Sequence, residues 1–378
     1  MSGLVLSFIL TFPFIFAENF APNDPYSFVY SRFQQILEST KTDVFNWEKK
    51  QVVLIGPSDI AINVSSREVN SAIGAEAKLL EIRNYSVIQG GPNVLLNVLE
   101  SLLSQVKEAK KIDLVIFRFQ PMMYTKEYTA FNSLNRAKFG QYTDLRSAVS
   151  DEPFTIFPQL TSRLYSLALQ GGKAEGSFYS FFGEFYRKLY SQKNANEAIL
   201  DDYRNTYSKI WTDYGRYTEN FLFHSVDYPD FFDILKIVDE KYNEKFFDSN
   251  QKKIYFGGYE SHAKHFNFLH YNFDPKRLED LRSIIKLCNQ ISKKTIILLV
   301  DDILENEYGK PQRAAYDRLS KLRNAEFAGQ KIIEYRPQVE QDIKKKDYFD
   351  LVHYRPDGIR KFSNYLAGII SKELEIKK

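Results

Sequence analysis

The sequence predicts an α/β fold, a flavodoxin-like three-layer sandwich around a parallel sheet, with a helical insertion. Three observations carry that expectation. The runs "VVLI" (52–55), "LVIF" (114–117) and "IILLV" (296–300) are wholly apolar, without the alternation of a half-exposed strand, as strands buried on both faces require. Stretches of helical periodicity separate such runs, and strands alternating with helices imply parallel pairing through right-handed crossovers. Between about 124 and 255 the alternation stops and aromatic-rich helical segments replace it.

Taken in order, the chain opens with "GLVLSFILTFPFIFA" (3–17), an apolar run interrupted by Pro13 and followed by polar "ENFAPNDP". A membrane span needs about 20 residues, so residues 1–22 read as a signal peptide, cleaved after Ala17, or a short membrane anchor. The expected location is exported: periplasmic or associated with the cell envelope. An amphipathic helix follows at 25–40, then "KKQVVLIGPSD", a buried strand ended by Gly56 and Pro57. A helix at 66–79, a short strand at 79–83, a loop with Gly90 and Gly91, a helix at 93–109 and the strand "KIDLVIFRFQP", stopped by Pro121, complete the first part of the core, 23–123. The insertion, 124–255, holds stretches such as "FYSFFGEFYRKLYSQ" and leaves the core at the carboxyl end of a strand, the edge where open α/β sheets bind ligands. It is either a lid or substrate-facing subdomain, or a subdomain that adds core. The second part of the core, 256–378, comprises a helix at 276–292, strands at 293–300 and 331–335, and helices at 311–324 and 357–376.

Composition narrows the function classes. A net charge of +3 on 378 residues, with no long basic run, argues against nucleic acid as a partner. The single cysteine, Cys288, excludes an intramolecular disulfide and lies in an apolar-periodic stretch that favours a buried, inert thiol. Tyr (25) and Phe (31) greatly outnumber Trp (2), and their concentration between about 120 and 275 suits core packing first and carbohydrate or protein contacts second.

The chemistry-bearing residues gather at predicted strand ends. Ser58 follows the first strand in "VVLIGPSDI", where an open sheet delivers side chains to its carboxyl edge and the following backbone N–H groups face outward. A serine hydroxyl becomes a useful nucleophile only when an imidazole takes its proton and a third group orients that imidazole. "DYFDLVHYRPDGIRKF" (347–362) supplies both, with Asp350 and His353 three residues apart just before the last helix.

In this order, Ser58 after the first strand, the glycine loop "YSVIQGGPN" after the second and D-x-x-H before the last helix resemble blocks of the SGNH/GDSL hydrolase superfamily. The flow "NYSVIQGGPNVLLNVLESLL…KKIDLVIFRFQPMMY" is similar to its envelope branch, which includes alginate O-acetyltransferase-like and D-alanyl-transfer proteins and uncharacterised exported proteins of spirochaetes. The resemblance covers 50–122 and 255–376. It implies Ser58 as nucleophile, His353 as general base and Asp350 as its orienting partner, with the N–H groups of Ser58 and of Gly91 or Gly90 as the oxyanion hole. The family's Asp before the serine is Pro57 here, and its Gly-x-Asn-Asp block is "FRFQPMM". The missing side-chain donor is therefore sought in Gln120, Arg118 or Asn93. The expected function is acyl-ester hydrolysis or O-acyl transfer on an envelope carbohydrate or acylated polymer, without cofactor or metal. The alternative is a catalytically inactive binding or scaffold protein of the same fold, meeting an envelope protein through its insertion.

Other constellations are weaker. His262, His265, His270 and Asp274 do not place three ligands on one helical face. Gly90-Gly91 lacks the G-x-G-x-x-G spacing of a dinucleotide site. Asp301 and Asp302 close a strand at the ligand-binding edge and read first as solvated carboxylates, second as substrate contacts or a competing acidic partner, and Asn63-Val64-Ser65 and Asn84-Tyr85-Ser86 match a glycosylation pattern inside core elements.

Overall fold

The computed structural model describes residues 45–87, 91–106, 110–126, 271–300, 313–341, 343–348 and 352–376, together with Ile36, Ser39 and Thr40. The N-terminal apolar segment, most of the 25–40 helix, nearly all of the insertion, Gly90, Asp301, Asp302 and Asp350 lie outside the described residues.

The elements are β1 (Lys50–Ile55), α1 (Ser58–Asn63), α2 (Ser66–Ile73), β2 (Leu80–Asn84), α3 (Pro92–Gln105), β3 (Leu114–Arg118), α4 (Pro275–Ile291), β4 (Thr295–Val300), α5 (Arg313–Glu326), β5 (Lys331–Tyr335), α6 (Pro337–Glu340) and α7 (Pro356–Glu373). The strands form one five-stranded sheet in the order β2-β1-β3-β4-β5, and every pairing is parallel. This is the 2-1-3-4-5 order of a flavodoxin-like doubly wound sheet. The steps from β1 to β2 and from β2 to β3 run in opposite directions, so right-handed crossovers put their helices on opposite faces. The packing agrees: α2 lies against α7, and α3 against α4. On the latter face α5 is joined to α4 by a bidentate pair from Arg282 to Glu326, 2.8 and 2.7 Å.

Local chemistry explains the boundaries. Val52, Val53, Leu54 and Ile55 are fully buried, as the apolar run requires. Ser65 caps α2, its Oγ accepting the Glu68 N–H at 3.1 Å, and Asp274 caps α4 by accepting the Lys276 N–H at 3.0 Å with Pro275 in the first turn. The helix expected over 66–79 is α2 followed by a 3₁₀ turn, Gly74–Leu79, because Gly74 takes a left-handed φ of 79°. The short helix α1 begins where the sequence indicated only a turn. Among the described residues no helix is long and apolar enough to cross a membrane.

Candidate functional site

The carboxyl edge of the sheet is assembled around the end of β1. Gly56 is required there, since a Cβ on it would lie 2.8 Å from the Arg118 Cβ and 3.1 Å from the Ile60 Cγ1. Pro57 has lost its N–H, but its carbonyl starts the helix by accepting from the Ile60 and Ala61 N–H groups, both at 3.1 Å. Ser58 consequently occupies the first helical position, half-buried, with its hydroxyl at the carboxyl edge. With the Ile60 and Ala61 N–H groups given to the Pro57 carbonyl, those of Ser58 and Asp59 are the first-turn donors that have no acceptor within the helix.

The next residue is spent on the fold. Asp59 is buried; its Oδ1 accepts the Ile60 N–H at 2.9 Å and its Oδ2 takes the Arg118 Nε–H at 2.7 Å. The same guanidinium donates to the Phe119 carbonyl and, at 3.3 Å, to the Val300 carbonyl. At 1% exposure, Arg118 ties the start of α1 to the ends of β3 and β4. Gln120, one residue past Phe119, is also buried, and its carbonyl accepts the Met123 N–H at 3.1 Å to start the 3₁₀ turn Pro121–Tyr124.

The glycine loop is brought to the same edge by backbone pairing beyond β2. Tyr85 N–H donates to the Leu54 carbonyl at 3.0 Å and Val87 N–H to the Gly56 carbonyl at 2.9 Å, which sets the chain entering the loop alongside the turn that carries Ser58. Gly91 ends the loop, buried, and its carbonyl accepts the Val94 and Leu95 N–H groups at 3.0 and 3.2 Å to begin α3. Asn93 sits in the first turn of α3, half-buried, and its buried Oδ1 has no hydrogen-bond partner among the described residues.

His353 lies on a loop with a narrow base. Tyr348 and Tyr354 form an antiparallel bridge, and Arg355 N–H donates to the Asp347 carbonyl at 2.8 Å. The Asp347 carboxylate accepts from the Lys344 N–H and the Lys361 ammonium, each at 2.8 Å. Gly358 lets α7 approach this base, because a Cβ there would sit 2.7 Å from the Asp347 carbonyl oxygen and 2.8 Å from the Tyr354 Cβ. Tyr354 packs edge-on against Tyr348 and Phe362. His353 itself is 6% exposed.

A residue that sequence reasoning passed over joins this loop to α1. The Asn63 Nδ2 donates to the Val352 carbonyl at 2.7 Å and its Oδ1 accepts the Tyr354 N–H at 2.8 Å, so one amide grips the backbone on both sides of His353. Asn63 is 2% exposed, and Asn84, the other glycosylation-pattern asparagine, donates to the Ile60 carbonyl at 3.0 Å and accepts the Ser86 N–H at 3.1 Å. Both amides are part of the fold. The sequence signal for Asn63 was a polar residue among apolar ones at the end of a run too short to show helical periodicity.

The remaining candidates resolve simply. Cys288 is fully buried in α4, and burial pushes its thiol up to about 12, which keeps it protonated and unreactive at neutral pH. His262, His265 and His270 fall outside the described residues, and Asp274 caps α4. No group of three or more metal-ligating side chains occurs among the described residues. No protein-family model, curated protein or solved structure matches the chain.

Proposed function

We propose that the protein is an SGNH-like serine hydrolase or O-acyltransferase acting on an acylated carbohydrate or polymer of the cell envelope. The observation that carries this reading is the double use of α1. Ser58 begins the helix, and Asn63 at its other end holds the backbone flanking His353. Five residues of helix rise about 7.5 Å, so the backbone on both sides of His353 is held within about one and a half helical turns of Ser58. The 2-1-3-4-5 order supports it further, since ligands in such sheets bind where the order reverses, between β1 and β3, and Ser58 follows β1.

In this mechanism His353 takes the proton of the Ser58 hydroxyl as Oγ attacks the acyl carbonyl, and Asp350 orients the imidazole. The tetrahedral oxyanion accepts hydrogen bonds from the N–H groups of Ser58 and of Gly91 or Gly90. Gln120 is the remaining side-chain donor candidate at the end of β3, with the Asn93 amide beside the glycine loop. Such donors are each worth about 10²–10³ in rate. The C–O bond to the carbohydrate breaks as His353 returns the proton to the leaving hydroxyl, leaving an acyl-serine. Water, or a second hydroxyl, then loses its proton to His353 and attacks the acyl carbon, and the acyl–Oγ bond breaks as His353 passes that proton to Ser58. Hydrolase and transferase differ only in that last acceptor, and neither path calls on a metal or cofactor.

One observation favours a second reading, an inactive envelope scaffold. The strand end that carries a side-chain oxyanion donor in SGNH enzymes carries Arg118 here, and that guanidinium is bound to Asp59 and two carbonyls. A fluorophosphonate probe decides between the two. The enzyme reading expects covalent labelling of the wild-type protein that falls to background in Ser58→Ala and drops at least about 10³-fold in His353→Ala. Well-folded wild-type protein that takes no label would sink it and leave the scaffold.

A further inference from the structure

We infer that Asn63 is the positioning residue for His353, a role that rests on the serine-acyl-transfer reading above. A general base must be held to within about 0.5 Å of its working position, and a base on a loop needs something rigid to hold it. The described base of the loop is anchored mainly to α7 and the segment before it, through Tyr348, Asp347 and the close approach at Gly358. Those contacts fix the loop relative to α7. Asn63 instead fixes it relative to α1, the helix that begins with the nucleophile.

The amide suits this task by its chemistry. One side chain must donate to a carbonyl and accept from an N–H two residues apart, and a primary amide supplies a donor and an acceptor 2.2–2.3 Å apart, about as a peptide group does. Aspartate has no donor for the Val352 carbonyl, leucine has neither group, and glutamine is one methylene too long. Since Asn63 is almost fully buried, the two hydrogen bonds escape competition from water, and losing either leaves a buried backbone group unsatisfied. The hydroxyl of Ser363 on α7 accepts the Ser65 N–H at 3.1 Å, which keeps the end of α1 seated against α7 and gives the clamp a fixed base.

The test compares rates of fluorophosphonate labelling for wild type, Asn63→Ala, His353→Ala and the double variant, with melting temperatures and amide hydrogen exchange at Tyr354. A misplacement of about 1 Å costs on the order of 10²-fold, so Asn63→Ala should label about 10- to 100-fold more slowly, with faster Tyr354 exchange. One readout separates positioning from mere support of the fold: in the His353→Ala background the Asn63→Ala change should cause no further loss, because the group it positions is already gone. If Asn63→Ala does not fold, Asn63→Asp, which keeps the acceptor for Tyr354, takes its place in every comparison. Labelling at the wild-type rate in the Asn63 variant, or losses that multiply in the double variant, overturns the inference while leaving the enzyme reading intact. A wild-type protein that takes no label at Ser58 overturns the enzyme reading, and the positioning role with it.

Discussion

The two edges of the sheet use their polar residues in opposite ways. At the amino edge, Lys50 donates to the Leu374 carbonyl, Lys294 to the Glu373 carbonyl, and Lys331 pairs with the Glu373 carboxylate. Lys293 pairs with Asp113 at 2.8 Å, and the other oxygen of Asp113 takes the Gln51 N–H at 2.8 Å. The last carbonyls of α7 lack partners within the helix and sit at its negative end, so the lysines at the starts of β1 and β4 satisfy both needs, while Lys331 at the start of β5 neutralises the Glu373 carboxylate. At the carboxyl edge the arrangement is less closed. Ser58 is half-buried at the start of α1, and the buried Asn93 Oδ1 has no hydrogen-bond partner among the described residues. Asp59 and Arg118, at the start of α1 and the end of β3, are paired with each other. In a parallel sheet all strands point the same way, so one edge collects strand starts and helix ends while the other collects helix starts. The first edge is finished with cations, and the second is where a reaction can be placed.

The contrast breaks first at the Asp59–Arg118 pair, the part of the carboxyl edge that behaves like the amino edge. Arg118→Met keeps the bulk but leaves the Asp59 carboxylate buried without its cation, and removing one member of a buried pair costs about 3–5 kcal/mol. Urea unfolding should show that loss, and the double variant Asp59→Asn/Arg118→Met should recover much of it, because no unpaired charge remains. A loss below about 1 kcal/mol for Arg118→Met would mean that water reaches the pair and that it is not the latch described.

How legible this contrast is in sequence depends on the range of the signal. The strands declare themselves because "VVLI", "LVIF" and "IILLV" are apolar without alternation, and strand 331–335 is recovered to the residue despite its charges. Ser58 and His353 are legible by position, one after the first strand and one before the last helix. Asn63, Asp59 and the amino-edge lysines are not, since their partners lie 42 to 324 residues away and no local periodicity links them. Asn63 even carries a misleading local pattern, the glycosylation triplet, which its burial cancels. Arg118 reads from sequence as a strand-end donor, whereas the missing Cβ of Gly56 lets it lie flat against β1 and turn to Asp59. Asp350, Gly90 and the insertion stay at the level of expectation, because they lie outside the described residues.

A smaller effect sharpens the comparison at Gly358. Alanine improves a helix interior by about 0.5–1 kcal/mol, but here its Cβ would meet the Asp347 carbonyl oxygen at 2.7 Å. Backbone gives less than a flexible side chain, so the clash should win and Gly358→Ala should lose about 1–3 kcal/mol by urea unfolding. Because the displaced atoms belong to the base of the His353 loop, probe labelling should slow more than the stability loss alone would produce. A stabilised, fully labelled variant would show that the loop is set by its contact with α1 alone.

The smallest expected effect lies at the amino edge and separates the edges most cleanly. Lys294→Met removes a cation from the end of α7 while keeping most of the side chain's length and apolar contact. A cation near a helix C-terminus contributes about 0.3–1 kcal/mol, partly screened by salt, so the variant should lose that much at low ionic strength and less in about 1 M salt. The bond to the Glu373 carbonyl is part-buried and Lys294 itself is exposed, which keeps the loss at the lower end of what a broken hydrogen bond costs. Labelling at Ser58 should not change, because the substitution lies at the far end of the strands from the site. A labelling rate that fell together with this small loss of stability would mean that the two edges are mechanically coupled through the sheet, and that the division of labour between them is less complete than their hydrogen bonds indicate.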